Sequence, residues 1–142
     1  MVDTNVIVGA VMSAEHANRA VLRRCLEGID TPLLGNALFS EMREVLGRTE
    51  LFAASPISAE HCNTLFEAYC SASEWIATYF LWRPNLRDEA DNHLIELAVN
   101  GGASTVVSWN VRDLKPGELR FPGLQILNPI QYLAEVGRRE KE

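Results

Sequence analysis

Apolar and polar residues follow two spacings along the chain, one typical of strands and the other of helices. Short apolar or β-branched runs predict strands at residues 1–2, 31–34, 104–108 and 124–127, with a further run at 75–79. Helical spacing of apolar residues predicts helices at 18–27, 38–46, 59–72, 91–99 and 130–136. Strands that alternate with helices predict an α/β fold, in which helices cover both faces of a mostly parallel sheet.

The run Thr105-Val106-Val107 has the strongest strand pattern, because it is β-branched and apolar on both faces. Gly101-Gly102 precedes it and closes the helix before it. Ligands of open parallel sheets bind beyond the carboxyl ends of the strands. Asp3 and Asn110 each follow a predicted strand, so this edge of the sheet is the expected site.

Length and composition predict one soluble domain at residues 1–137, followed by a charged tail at 138–142. The three cysteines form no CxxC pair, which argues against a disulfide framework and a structural zinc site. No apolar run is long enough to span a membrane, and the N-terminus lacks the basic region of a signal peptide. We therefore expect a cytoplasmic protein without a membrane partner.

The net charge of −6 argues at first against a polyanionic partner. That inference is weak if several of the acids bind cations. Most of the basic residues are arginine, and the guanidinium group suits phosphate oxygens.

Asp3 is an acid placed directly before an almost wholly apolar run that ends at Met12. Burial of an unpaired carboxylate is costly, so such a residue is exposed, hydrogen-bonded or neutralised by a metal ion. Glu41 borders the apolar stripe of its helix, although taken alone this position is more typical of a surface acid. Glu44 has Arg48 four residues on, which predicts a surface ion pair.

Two further acids precede the helix at 91–99. Asp91 and Asp88 continue the line of its apolar stripe backwards, towards the open N-terminal end. Helix capping explains Asp88 equally well. After the strand at 104–108, turn chemistry alone would account for Asn110 and Asp113, but their position in the sheet favours a site.

Clustered carboxylates repel one another, and hard divalent cations with oxygen ligands relieve the repulsion. One or two Mg²⁺ or Mn²⁺ ions are therefore favoured by the acids from four separate segments, at Asp3, Glu41, Asp91 and Asp113. Such ions activate water and stabilise a leaving oxygen in phosphodiester hydrolysis.

The chain resembles the PIN-domain family, metal-dependent ribonucleases that include the VapC-type toxins of toxin-antitoxin pairs. The segments that carry the resemblance are Val2-Asp3-Thr4-Asn5-Val6, Ser40-Glu41, residues 88–98, residues 106–114 and Leu127-Asn128-Pro129-Ile130-Gln131-Tyr132-Leu133. The resemblance implies a three-layer sandwich with a central sheet of about five strands in the order 3-2-1-4-5.

The resemblance also implies roles for individual residues. Asp3, Glu41 and Asp91 correspond to acidic metal ligands, and Asp113 completes the site directly or through water. Auxiliary roles fall to Asn110, Asp88 and Asn5. The chain would cleave RNA, form a homodimer and, as a toxin, be blocked by an antitoxin protein.

Two hypotheses from different classes remain open: a metal-dependent endoribonuclease, and a weakly active or inactive PIN-like module that binds RNA or protein. A phosphatase or receiver domain is disfavoured, since Asn5 stands where such phosphatases need a second Asp. Arg87, Arg112 and Arg43 are the candidates for phosphate contacts, although a solvated surface role is as probable for each.

Three aromatic or apolar features complete the expectations. Trp82 and Trp109 could stack on unpaired bases, but we expect both in the core. The helix at 59–72 carries Leu65, Phe66 and Tyr69, which could form a dimer surface or a groove for a peptide.

Overall fold

The computed structural model describes residues 1–12, 16–48, 58–77 and 89–141. Its helices, numbered in chain order, are α1 (Thr4–Met12), α2 (His16–Leu26), α3 (Asn36–Leu46), α4 (Ala59–Ala72), α5 (Glu89–Asn100), α6 (Val111–Leu114), α7 (Pro116–Arg120) and α8 (Pro129–Glu140). Its strands are β1 (Leu33–Leu34), β2 (Glu74–Trp75), β3 (Thr105–Val107) and β4 (Gln125–Leu127). The α/β class predicted from the sequence is confirmed.

The strands pair in parallel, as predicted. Leu33 of β1 lies opposite Glu74 of β2, and Thr105 of β3 lies opposite Gln125 of β4. A parallel bridge joins Val2 to Val107 on the other side of β3. Hydrogen bonds within the described part of the chain form two separate strand pairs, so the continuous five-stranded sheet is not confirmed.

The strand predicted at 75–79 is observed as Glu74–Trp75, and residues 78–79 lie outside the described part of the chain. Both residues of β2 are exposed.

Helix α1 was not predicted from the sequence. Its residues are apolar on all sides, so they lack the amphipathic periodicity by which surface helices are recognised. Such a helix is stable only when buried, and Val6, Ile7, Ala10 and Val11 all lie in the core.

The buried faces of α3 and α5 follow the predicted stripes. Leu38, Met42 and Leu46 are buried on α3, while Leu94, Ile95 and Ala98 are buried on α5. Gly102 follows α5 with a φ of 69°, a left-handed conformation that glycine adopts without strain.

Helix α4 packs its apolar face against the rest of this chain. Tyr69 is fully buried, and Leu65 and Phe66 line a small internal cavity together with residues of α1, α2 and α3. Leu65 and Phe66 remain partly exposed, so the expectation that this face offers a dimer surface or a peptide groove stays a prediction.

A polar network ties α2 to α8. Arg24 Nε lies 2.9 Å from Asp30 Oδ2, and the Tyr132 hydroxyl donates to the same oxygen at 2.7 Å. Burial raises the pKa of Asp30, but the hydrogen bonds from Arg24 and Tyr132 outweigh it, so the pKa lies below its ordinary value.

Helix α8 begins with a capping box. Asn128 accepts from the backbone N–H of Gln131, whose side chain accepts from the N–H of Asn128. The capping box lies between the strand predicted at 124–127 and the helix predicted at 130–136, so both predictions agree with the structure. No helix within the described ranges combines the length and apolarity required to cross a membrane.

Candidate functional site

Backbone pairing places Asp3 beside the carboxyl end of β3. The N–H of Val107 donates to Met1 O at 2.8 Å, and the N–H of Asp3 donates to Val107 O at 2.9 Å. Asp3 and the segment that follows β3 therefore meet at one edge of the sheet, as the sequence predicted.

The carboxylate of Asp3 is partly buried, and both of its oxygens accept hydrogen bonds. Oδ1 accepts from the backbone N–H of Thr4 at 2.7 Å, and Oδ2 accepts from the Ser108 hydroxyl at 2.7 Å. Burial raises the pKa of the Asp3 carboxyl above its ordinary value, and these two hydrogen bonds offset part of the rise. The charged form is thus held at a place where water stabilises it poorly.

Ser108 is the centre of a polar cluster that consists of Asp3, Asn5, Ser108, Trp109 and Asn110. Its hydroxyl is fully buried, donates to Asp3, and accepts from Asn110 N at 2.9 Å and Asn5 Nδ2 at 3.3 Å. One donor and two acceptor positions are thereby filled. The Ser108 hydroxyl therefore makes all the hydrogen bonds that a hydroxyl group can make.

Asn5 and Trp109 complete the polar cluster. Asn5 Oδ1 accepts from the backbone N–H of Trp109 at 3.2 Å. The Trp109 indole donates from Nε1 to Asn18 Oδ1 at 2.7 Å, yet the residue remains 37% exposed. The prediction that Trp109 belongs to the core is wrong, because its polar N–H is bonded inward while the ring stays at the surface.

Glu41 is exposed on α3 and lines a cleft of about 540 Å³ between α3 and α5. Ser40 and Glu44 of α3 and His93 of α5 line the same cleft. The predicted surface pair of Glu44 with Arg48 is confirmed at 3.4 Å. The cleft brings the Glu41 helix alongside the helix that carries Asp91.

The remaining predicted residues are placed with less detail. Asp91 belongs to the first turn of α5, but its side chain is not described. Asp88, Arg87 and Trp82 lie outside the described residues. Asp113 and Arg112 are exposed on α6, immediately after Asn110.

The donor chemistry at Asp3 suits a hard divalent cation, because a partly desolvated carboxylate with amide groups beside it gains from a nearby positive charge. Among the side chains described, no three acids, histidines or cysteines are close enough together to hold a metal ion. Asp3, Asn5 and Asn110 are brought together, while Glu41 and Asp113 are not placed in contact with them by any described bond.

Three residues that shape the site were missed in the sequence. Ser108 falls at the end of the strand predicted at 104–108, and Asn18 falls at the start of the helix predicted at 18–27, so neither position stands out in the sequence. Gly9 lies against Asn18: a Cβ there would collide with Asn18 Nδ2 and lie 2.9 Å from its Cγ. A glycine inside an otherwise apolar helix was the one available signal, since it indicates a close approach.

Comparison with known proteins gives one result that concerns the family. The model of the PIN domain family matches residues 1–112, a range that contains Asp3, Glu41, Asp91 and Asn110 and ends before Asp113. No curated protein and no solved structure matches the chain. The matched range covers most of the chain and the whole polar cluster around Ser108, and on this basis the protein belongs to the PIN domain family.

Proposed function

We propose that this protein is a metal-dependent endoribonuclease that hydrolyses RNA phosphodiester bonds with water. PIN domains are generally nucleases, which gives the reaction class. The observation that carries the proposal is the Asp3 carboxylate, partly buried at the carboxyl edge of β3 and hydrogen-bonded to Ser108 and Thr4.

The proposed metal ligands are Asp3, Glu41, Asp91 and Asp113, with Asn110, Asn5 and Asp88 in supporting positions. PIN domains typically bind divalent metals, and oxygen ligands of this kind favour Mg²⁺ or Mn²⁺. When bound, such a cation supplies activated water and stabilises the charge of the leaving oxygen.

The chain's own residues fix the carboxylate before any ligand binds. Ser108 and Thr4 hold both Asp3 oxygens in place, and Asn5 and Asn110 fix the Ser108 hydroxyl in turn. Preorganised groups of this kind need no rearrangement during the reaction.

Two arginines support binding of a polyanion in spite of the net charge of −6. Arg112 and Arg43 are exposed, and neither forms an ion pair with another residue that the structure describes. We propose that they contact backbone phosphates, together with Arg87.

The broader biological proposal follows the VapC-like resemblance. The protein would be the cytoplasmic toxin of a toxin-antitoxin pair, a homodimer whose site an antitoxin blocks. Its domain would extend over residues 1–137. The strands predicted at 1–2, 31–34, 75–79, 104–108 and 124–127, numbered 1 to 5 along the chain, would form one sheet in the order 3-2-1-4-5. The parallel pairs β1–β2 and β3–β4 and the Val2 bridge support that order.

The test is RNA cleavage with added Mn²⁺ by the wild type, Asp3→Asn, Asp91→Asn and Glu41→Gln. Glu44→Gln is the matched control, since Glu44 lies on the same helix and already pairs with Arg48. We expect cleavage by the wild type and the control and its loss in the other three. Equal cleavage by all variants would indicate a contaminating nuclease and end the assignment.

A second candidate is a catalytically weak or inactive module that binds RNA or protein. The amide side chain at Asn110, shortly after β3, favours it. Calorimetry with Mg²⁺ and Mn²⁺ separates the two, because the module would show no binding at millimolar metal.

A further inference from the structure

Trp109 is an exposed aromatic residue beside the polar cluster. The residue is 37% exposed, although a tryptophan gains more than most side chains from burial. It also follows Ser108 directly, so it lies one residue from the hydroxyl that binds Asp3.

The exposed ring is fixed in position rather than free to rotate. Its Nε1 donates at 2.7 Å to Asn18, a residue only 3% exposed, and its backbone N–H is bonded to Asn5. Asn18 in turn occupies space that is available because residue 9 is glycine. Gly9 and Asn18 act as positioning residues for the indole.

A fixed and exposed aromatic ring is the form of side chain on which an unpaired base stacks. Bases inside a duplex already stack on their neighbours, whereas a single strand leaves its base faces available. Arg112 lies three residues further on, in the first turn of α6, and is exposed to meet a phosphate.

We propose that Trp109 is a preformed stacking platform for an unpaired base of a single-stranded nucleic acid, adjacent to the Asp3 carboxylate. The proposal rests on the nuclease function proposed above and assigns Trp109 a contact with the substrate of that site. Stacking is tolerant of sequence, since every base has a flat face. Trp109 would therefore select strandedness rather than a particular base.

The test is binding without cleavage, measured by fluorescence anisotropy in EDTA at low ionic strength. Labelled single-stranded oligouridine, the DNA of matching sequence and an RNA duplex are titrated with the wild type, Trp109→Ala, Trp109→Leu and Trp109→Phe. The leucine variant keeps apolar bulk without an aromatic face, and it serves if the alanine variant fails to fold. Trp75→Ala is the matched control, because Trp75 is 48% exposed but packs against Phe39, away from the polar cluster.

We expect Trp109→Ala and Trp109→Leu to weaken binding of the single strand about tenfold. Trp109→Phe keeps a flat ring but lacks the N–H that bonds Asn18, so it should lose less binding than the alanine and leucine variants. Trp75→Ala should bind close to the wild-type level, and duplex binding should not depend on Trp109. A loss shared by RNA and DNA single strands supports stacking, and a loss confined to RNA supports it with an added ribose contact.

The proposal is overturned if the alanine and leucine variants bind the single strand as the wild type does, or lose duplex binding equally. It is also overturned if the wild type binds no single strand. The binding assay contains EDTA and therefore does not depend on metal. A failure of RNA cleavage with Mn²⁺ would contradict the proposed nuclease function but would leave the binding result for Trp109 unaffected.

Discussion

The Ser108 hydroxyl donates a 2.7 Å hydrogen bond to Oδ2 of Asp3, across 105 positions of the chain. The same hydroxyl accepts from Asn5 and Asn110, so the loss of one oxygen atom would break three hydrogen bonds. Substitution of Ser108 should therefore disturb the site more than substitution of an ordinary turn serine would.

Replacement of Ser108 by alanine should destabilise the protein and reduce cleavage. Removal of a buried partner costs about 1 to 3 kcal/mol, because the groups left behind lose their hydrogen bonds. Urea unfolding would show a lower midpoint, and cleavage with Mn²⁺ would fall. Ser108→Thr retains the hydroxyl and should keep more activity than the alanine variant; equal stability of Ser108→Ala and wild type would contradict the role assigned to the cluster.

Asp3→Asn should change how stability depends on pH. The pKa of Asp3 is raised in the folded state, so its favourable contribution is present below the unfolded value and is lost as pH rises through the folded pKa. Without metal, the wild-type melting temperature should fall more than that of Asp3→Asn between acid and neutral pH. Melting curves in EDTA measure this, and parallel pH profiles for the two proteins would refute it.

Asp30→Asn should have the opposite dependence on pH. The pKa of Asp30 is lowered on folding, so its contribution is present above the unfolded value and disappears as pH falls through the folded pKa. We expect the variant to be less stable than the wild type at neutral pH and to approach it in acid. Glu44→Gln provides the comparison, because an exposed pair contributes little; a similar effect in both variants would count against the α2–α8 network.

Gly9→Ala should destabilise the protein and disturb the surroundings of Trp109. The added Cβ collides with the Asn18 side chain, and overpacking of a filled interior costs about 1 to 3 kcal/mol. Chemical denaturation and tryptophan fluorescence report the two effects. The smaller side chain in Gly9→Ala/Asn18→Ser should recover part of the stability, and independent, additive losses would show that residues 9 and 18 are not coupled.

Asn128→Ala should lower the stability of α8 by about 1 kcal/mol, because the capping box loses the side chain that accepts from Gln131. Asn128→Ser retains an oxygen acceptor and should lose less. Equilibrium unfolding followed by circular dichroism gives both values, and an alanine variant as stable as the wild type would mean that the cap contributes nothing.

The parts of the fold that the sequence predicted are those that local periodicity specifies. The stripes of α3 and α5 and the strand β3 repeat at regular intervals, and the structure buries the residues expected. Helix α1 has no such contrast between faces, so its conformation depends on the surrounding core. The α4 face shows the converse: the sequence predicts its apolar stripe, but only the fold distinguishes the fully buried Tyr69 from Leu65 and Phe66, which remain partly exposed.

The candidate site was predictable to a similar extent. Asp3 and Asn110 follow strands, and the parallel topology brings both to one edge. The hydroxyl of Ser108 and the contact between Asn18 and Trp109 depend on distances between residues far apart in the chain, for which no local pattern exists. Trp109 was misassigned for this reason, since hydrophobicity alone predicts burial.

The pairing of residues 1–3 with β3 also determines the direction in which the Asp3 side chain points. Side chains alternate along an extended chain, so a shift of one residue against β3 would reverse the direction of every side chain in the segment. Asp3 would then face the opposite layer, and its carboxylate could no longer reach Ser108. Two hydrogen bonds with Val107 and one from Met1 N to Thr105 O resist that slippage. Mutations that weaken this alignment would abolish activity while every proposed ligand remained in the sequence.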